Sequence, residues 1–79
     1  MLKKNTFKNN NVIVTGGAGG IGSATCKLFL DYAANVYLVD KDKVQINKIK
    51  KKLNHTKLKT FKLDITSEKE VKNFYKKIS

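Results

Sequence analysis

Proline, tryptophan and arginine are absent from this 79-residue chain, whose seventeen basic residues are all lysine, and there is a single cysteine, Cys26. Each absence excludes something. One cysteine forms no internal disulfide, so no covalent staple supports a chain of a size that buries only about 60% of its unfolded surface. Cys26 lies beside the apolar residues of a helical segment, so it reads as a small packing residue rather than a reactive thiol. A lone thiol also suits a reducing cytoplasm. No apolar run is long enough to cross a bilayer. Met1-Leu2-Lys3-Lys4 starts like a secretion signal, but Asn5, Lys8 and the Asn9-Asn10-Asn11 run leave no apolar segment for one. The expectation is a soluble cytoplasmic protein with no membrane partner.

The missing arginine bears on the net charge of +11. Nucleic-acid sites draw on arginine forks for phosphates and base edges, and on aromatics for stacking. Lys48, Lys50, Lys51 and Lys52 instead fall on an amphipathic helical pattern with Ile46, Ile49 and Leu53, which describes a solvated face. An all-lysine, asparagine-rich, proline-free composition is a compositional bias more than a recognition surface. It argues against a nucleic-acid partner and leaves a basic polyanion binder as the weakest of three functional readings.

Glycine is scarce as well, and its placement is the most informative feature. All five glycines fall in Thr15-Gly16-Gly17-Ala18-Gly19-Gly20-Ile21-Gly22. Ahead of the run lies the β-branched strand pattern Val12-Ile13-Val14, and after it Ile21, Ala24, Thr25, Leu28 and Tyr32 recur at helical spacing. A strand that turns sharply into a helix aims free N–H groups and the positive end of the helix dipole at one spot, which favours an anion such as a pyrophosphate. Two glycine registers are readable. Gly17, Gly19 and Gly22 satisfy G-x-G-x-x-G; Gly16, Gly20 and Gly22, preceded by Thr15, satisfy T-G-x-x-x-G-x-G. The second fits better, with Thr15 ending the strand, Gly16 at the bend, Gly20 where a cofactor approaches the backbone, and Gly22 where the helix packs on the sheet. A P-loop is excluded, because Ser23 and Ala24 stand where its lysine and hydroxyl residue are required.

The remaining pattern is βαβαβα. Strands are expected over residues 12–15, 36–39 and 58–63, and helices over residues 20–33, 42–53 and from Ser67 onward. Val44, Ile46, Ile49 and Leu53 are expected to turn inward on the second helix, and Val71, Phe74, Tyr75 and Ile78 on the third. Ser67-Glu68-Lys69-Glu70 has the form of a capping box. Lys59 and Lys62 interrupt the third strand, which suits a sheet edge. Right-handed crossovers then give an α/β partial Rossmann fold, a three-stranded parallel sheet ordered 3-2-1. No composition break divides the chain, and residues 1–10 form a basic, polar lead-in.

Val-Ile-Val-Thr-Gly-Gly-Ala-Gly-Gly-Ile-Gly resembles the opening of the short-chain dehydrogenase/reductase superfamily. Val36-Tyr37-Leu38-Val39 ending at Asp40, and Phe61-Lys62-Leu63-Asp64-Ile65, resemble the family's next two landmarks in the right order. The resemblance implies an NAD(P)-binding oxidoreductase of which this chain is the N-terminal portion. It places Thr15, Gly16, Gly20, Ile21 and Gly22 at the pyrophosphate, Asp40 at the adenosine ribose, and Asp64 and Ile65 beside the adenine. Asp40 would accept from the ribose hydroxyls and repel a 2′-phosphate. Gly19 stands where NADP-preferring relatives carry a basic residue. Both point to NAD over NADP, with Lys41 as an opposing charge. Where the family has Gly-Ala before the second strand, this chain has Ala33-Ala34-Asn35, and Asn35 is the expected cap.

No catalytic residue is assigned. The family's tyrosine and lysine, four positions apart, lie one turn apart on a helix, whereas Tyr37 and Lys41 fall along a strand, where that spacing means about 13 Å. The family's Asn-Ala-Gly segment and active-site serine have no counterpart. His55 stands without a ligand cluster, so no metal is expected. The expected function is a cofactor-binding fragment without activity of its own, with a stand-alone nucleotide- or partner-binding module as the alternative. The expected partners are the dinucleotide and either a missing C-terminal part or a second copy on an exposed strand edge.

Overall fold

A computed structural model of the chain describes residues 3–16 and 20–78. Its elements are β1 (Asn11–Thr15), α1 (Gly20–Asp31), β2 (Asn35–Asp40), α2 (Lys43–Leu53), β3 (Leu58–Lys62) and α3 (Glu68–Ile78). The three strands form one parallel sheet in the order β1-β2-β3, with Val12 opposite Val36 and Val36 opposite Leu58. This is the 3-2-1 arrangement expected of consecutive right-handed crossovers.

Strand alternation distributes the core over both faces of the sheet. Val36 and Leu38 pack with Cys26, Leu30, Ala34, Ile49 and Leu58 under α1 and α2. Val39 packs with Leu63 and Phe74 of α3 on the other face, joined by Ile13, Tyr37 and Phe61. β2 is therefore buried on both sides, which explains its continuous apolar run. Tyr37 is a sheet residue, its ring 6.1 Å from that of Phe61. The polar lead-in is anchored by one aromatic: Phe7 packs on Phe29 and Tyr32, and its N–H donates to the Tyr32 carbonyl at 2.9 Å.

Several inward faces differ from expectation. On α1 the buried residues are Gly22, Ser23, Cys26 and Leu30, while Ile21 and Leu28 are exposed. The helix meets the core through Gly22, Ser23, Cys26 and Leu30, while Ile21 and Phe29 line the groove along the open side of β1. On α2, Ile46 and Ile49 are buried but Val44 is exposed; two residues along a helix is a turn of about 200°, so Val44 cannot share a face with Ile46. On α3, Phe74 is buried and the adjacent Tyr75 is exposed.

The helix ends follow local chemistry. Asp42 caps α2 by accepting from the N–H groups of Val44 and Gln45, and Asn54 closes it in a left-handed conformation. Ser67 Oγ accepts the Glu70 N–H at 3.3 Å, and the Ser67 N–H donates to the Asp64 carbonyl. At the end of α1 the cap is Ala33, with φ of 73°, whereas Asn35 already belongs to β2. Ala34 N–H bonds the Phe29 carbonyl and Ala33 N–H that of Leu30, the paired bonds of a Schellman ending. The fixed hydrogen bonds of this ending put the left-handed residue at 33, two positions before Asn35. Alanine pays the Cβ penalty that glycine escapes. Ala33→Gly is therefore expected to stabilise the fold by about 1 kcal/mol, a rise in Tm of roughly 4–8 °C by thermal melting; a lower Tm would contradict this account of the turn.

Burial pushes the Cys26 thiol above its ordinary value of 9.0. A pKa raised on folding favours the folded state below the unfolded value, and that contribution is lost as pH climbs through the folded one. Past pH 9.0, wild type is expected to lose stability with rising pH faster than Cys26→Ala, as measured by urea melts; parallel profiles would show that the thiol does not titrate with folding.

Candidate dinucleotide site

Parallel strands in register bring their C-terminal ends to one edge of the sheet, where the chain leaves each strand and a crevice forms. The Gly16 N–H donates to the Val39 carbonyl at 3.1 Å and the Leu63 N–H to the Asp40 carbonyl at 2.8 Å, so all three strand ends are tied together. This tie juxtaposes Thr15 and Gly16, Asp40, and Asp64 and Ile65, which are far apart in sequence.

At the bend after β1, Gly16 has φ of +61°, a conformation that side chains strain to adopt. This is the conformation required of the first glycine in the T-G-x-x-x-G-x-G register. Gly17 and Gly19 lie outside the described residues. Gly20 opens α1, and a Cβ built on it would meet nothing within 4 Å among the described residues. Its backbone thus faces open space at a helix N-terminus, where unpaired N–H groups favour an anion. Gly22 is buried where α1 meets the sheet. Ile21, 87% exposed, stands beside this space.

Two hollows meet at Gly16. A groove of about 780 Å³ runs along the open side of β1 past Gly20, Ile21 and Gly22. A cleft of about 270 Å³ is lined by Gly16, Asp40, Lys41, Leu63, Asp64, Ile65 and Thr66. All eight residues expected at the cofactor therefore lie along one continuous edge.

The two carboxylates of the cleft are each half committed. Asp40 Oδ1 accepts the Asp42 N–H at 3.0 Å, and its Oδ2 has no hydrogen-bond partner among the described residues. Asp64 Oδ1 accepts both the hydroxyl and the N–H of Thr66, at 2.6 and 2.9 Å. The Thr66 hydroxyl and then its N–H hold the Asp64 carboxyl below its ordinary 3.8, against an opposing effect of burial that outweighs the weaker help of the Lys41 charge. Asp64 is thus an anion and a pure acceptor at neutral pH. Thr66 went unnoticed in the sequence; an aspartate followed two residues later by a threonine just after a strand was the available signal, since such pairs close local turns.

Of the other candidates, only Lys41 joins this edge. Tyr37 lies within β2 and Lys41 follows it, so they do not form a helical pair. His55 Nδ1 accepts the Lys57 N–H at 3.1 Å, and no group of His, Cys, Asp and Glu among the described residues could hold a metal. No helix among the described residues is long and apolar enough to cross a membrane.

Comparison with known proteins agrees with this geometry. Residues 10–79 match the short chain dehydrogenase family. The chain is 38% identical over 64 residues to short-chain dehydrogenase reductase 3a of Arabidopsis thaliana, covering 81% of this chain and 25% of that protein. It is 38% identical over 65 residues to short-chain dehydrogenase reductase 5 of the same plant, covering 82% and 25%. In structure it is similar to the citronellol catabolism dehydrogenase of Pseudomonas aeruginosa PAO1, with a TM-score of 0.88 and 26% identity, covering 99% of this chain and 34% of that one. The chain spans about a quarter of the length of the curated relatives it matches. By its glycine turn, its strand order and these likenesses, the chain belongs to the short-chain dehydrogenase family.

Proposed function

We propose that this chain is the dinucleotide-binding N-terminal portion of a short-chain dehydrogenase and that it holds NAD in preference to NADP. The observation that carries the reading is the bare backbone of Gly20 at the N-terminus of α1, next to a cleft that ends at Asp40. Gly16, Gly20 and the first turn of α1 receive the pyrophosphate. Asp40 Oδ2 accepts from the ribose hydroxyls, and Asp64 with Ile65 lines the adenine end. Thr15 and Ile21 flank the path toward the groove beside β1. A bound nicotinamide ring supplies hydride transfer; residues 1–79 supply binding and orientation, and no proton-transfer group is assigned among them.

Cofactor choice rests on Asp40. A 2′-phosphate would set two anions side by side, and the exposed Lys41 offsets this only in part. NAD is expected to bind more tightly than NADP by roughly tenfold or more, with Asp40→Ser narrowing the gap. Titration calorimetry that found NADP equal or tighter would overturn the assignment.

The open edge of the sheet supports a second element of the proposal, self-association. Among the described residues, the ten that line the groove beside β1 include none that is charged, although 29% of the chain is charged. The opposite edge carries the exposed Lys59 and Lys62 on β3, the usual guard against strand pairing. β1 has no such guard among the described residues, and a second copy of the chain is the occupant we assign to it. The proposed setting is the cytoplasm, in keeping with the free, buried Cys26.

A further inference from the structure

The N-terminal end of the sheet, opposite the edge where Gly16, Asp40 and Asp64 meet, holds a second polar hollow. Its volume is about 340 Å³, and it is lined by Asn35 and Tyr37 of β2 with Thr56, Lys57 and Lys59. Tyr37 lies opposite Lys59 in the sheet, and one step back the Val36 N–H donates to the Lys57 carbonyl at 2.9 Å. Side chains alternate between the faces of a sheet, so Asn35, Tyr37, Lys57 and Lys59 emerge on the same face, about 6.6 Å apart along each strand and about 4.8 Å apart across. All five lining side chains carry a donor at neutral pH, and none is acidic.

These donors are largely uncommitted. Lys57 Nζ donates to the Ala33 carbonyl at 3.5 Å and Asn35 Nδ2 to Asn11 Oδ1 at 3.3 Å, each with further N–H groups to spare. The Tyr37 hydroxyl, the Thr56 hydroxyl and the Lys59 ammonium have no hydrogen-bond or ion-pair partner among the described residues. Asp31, the acid that ends α1, is paired with Lys27 at 2.7 Å. Two ammonium groups on alternate residues of one strand repel each other, and hydroxyls and an amide surround them in place of a counterion. The ring of Tyr37 rests on Phe61, which sets where its hydroxyl stands.

We propose that this hollow binds a phosphate group, free or as the end of a small ester, through Lys57, Lys59 and the Tyr37 hydroxyl. A dianion accepts from both ammonium groups at once and removes their repulsion, and hydrogen bonds of this charge-assisted kind are about twice as strong as neutral ones. The site shares no residue with the glycine turn, so it is independent of the dinucleotide reading.

The test is an amide chemical-shift titration of the full 79-residue chain with inorganic phosphate and with glycerol 3-phosphate at constant ionic strength, in wild type, Lys59→Gln, Tyr37→Phe, Lys48→Gln and Gly20→Val. Wild type is expected to show saturable shifts at Asn35, Tyr37 and residues 57–59, with a dissociation constant on the order of 1 mM. Lys59→Gln weakens binding about tenfold and Tyr37→Phe about threefold or more. Lys48→Gln removes an equal charge from the exposed face of α2 and leaves the affinity within about twofold. Gly20→Val does the same, and it strips away any phosphate held at the start of α1, so that the hollow is read alone. Tighter binding of the ester assigns the site to an esterified phosphate, and equal or tighter binding of inorganic phosphate assigns it to the free ion. Shifts that never saturate, or a loss in Lys48→Gln equal to that in Lys59→Gln, would describe general attraction to the net charge and overturn the proposal. Should Lys59→Gln not fold, Tyr37→Phe decides, because it keeps the packed ring and removes only the hydroxyl; unchanged affinity in it overturns the proposal. A chain that binds phosphate here but shows no response to NAD at the glycine turn overturns the dinucleotide reading and leaves this site standing.

Discussion

Gly20→Val abolishes measurable NAD binding and leaves the melting temperature of the chain almost unchanged. A Cβ at Gly20 meets nothing within 4 Å among the described residues, and its φ is not in the left-handed region, so the described fold does not depend on the missing side chain. The space it would fill is the space a pyrophosphate needs against the helix N-terminus. Losing that approach removes several hydrogen bonds to an anion, each worth about 1.5–3 kcal/mol, so a fall of at least a hundredfold is expected. Gly16→Val provides the contrast, because at φ of +61° any side chain is strained, and stability falls together with binding. Unchanged affinity in Gly20→Val by calorimetry would refute the register built on Gly16, Gly20 and Gly22.

The amides of Ile13 and Thr15 exchange far faster than their neighbours, and added salt drives the chain to associate. The Asn10 carbonyl accepts from Asn35 and the Gly16 N–H donates to Val39. In a parallel ladder the polar groups of alternate residues point the same way, so Val12 and Val14 face β2 while Ile13 and Thr15 face the open edge. Exchange at Ile13 and Thr15 is expected to be on the order of a hundredfold faster than at Val36 or Leu38, which lie in the central strand. Two copies bearing +11 each repel one another, and salt screens that repulsion over about 8 Å at physiological strength. Association through the uncharged groove should therefore strengthen with ionic strength and protect Ile13 and Thr15. A chain that stays monomeric by light scattering at high salt would contradict the proposed edge pairing.

The sequence disclosed the sheet more fully than the helix faces. Val12-Ile13-Val14 and the unbroken apolar β2 have few alternatives as strands, and a glycine run between a strand and a helix leaves little freedom in the crossover. Helix faces are set by what lies beneath them. α1 buries Gly22, Ser23 and Cys26 together with Leu30, and small residues on that face are a weaker periodic signal than the exposed Ile21 and Leu28. Ala33 accepts the left-handed cap because the hydrogen bonds of the helix ending determine the position, overriding the asparagine two residues on. At the site, the glycines and both aspartates were legible because each answers a geometric need. Thr66 was not, since its role appears only when its hydroxyl is seen on Asp64.

The most direct measurement of the central claim is an amide chemical-shift titration of the intact chain with NAD. The account predicts shifts concentrated at Gly16, the first turn of α1 from Gly20 to Gly22, Asp40, and Asp64 to Thr66, with the lysine-bearing faces of α2 and α3 unmoved. Shifts spread over Lys48, Lys50, Lys51, Lys72 and Lys76 and absent from the glycine turn would instead describe a polyanion binder and contradict it.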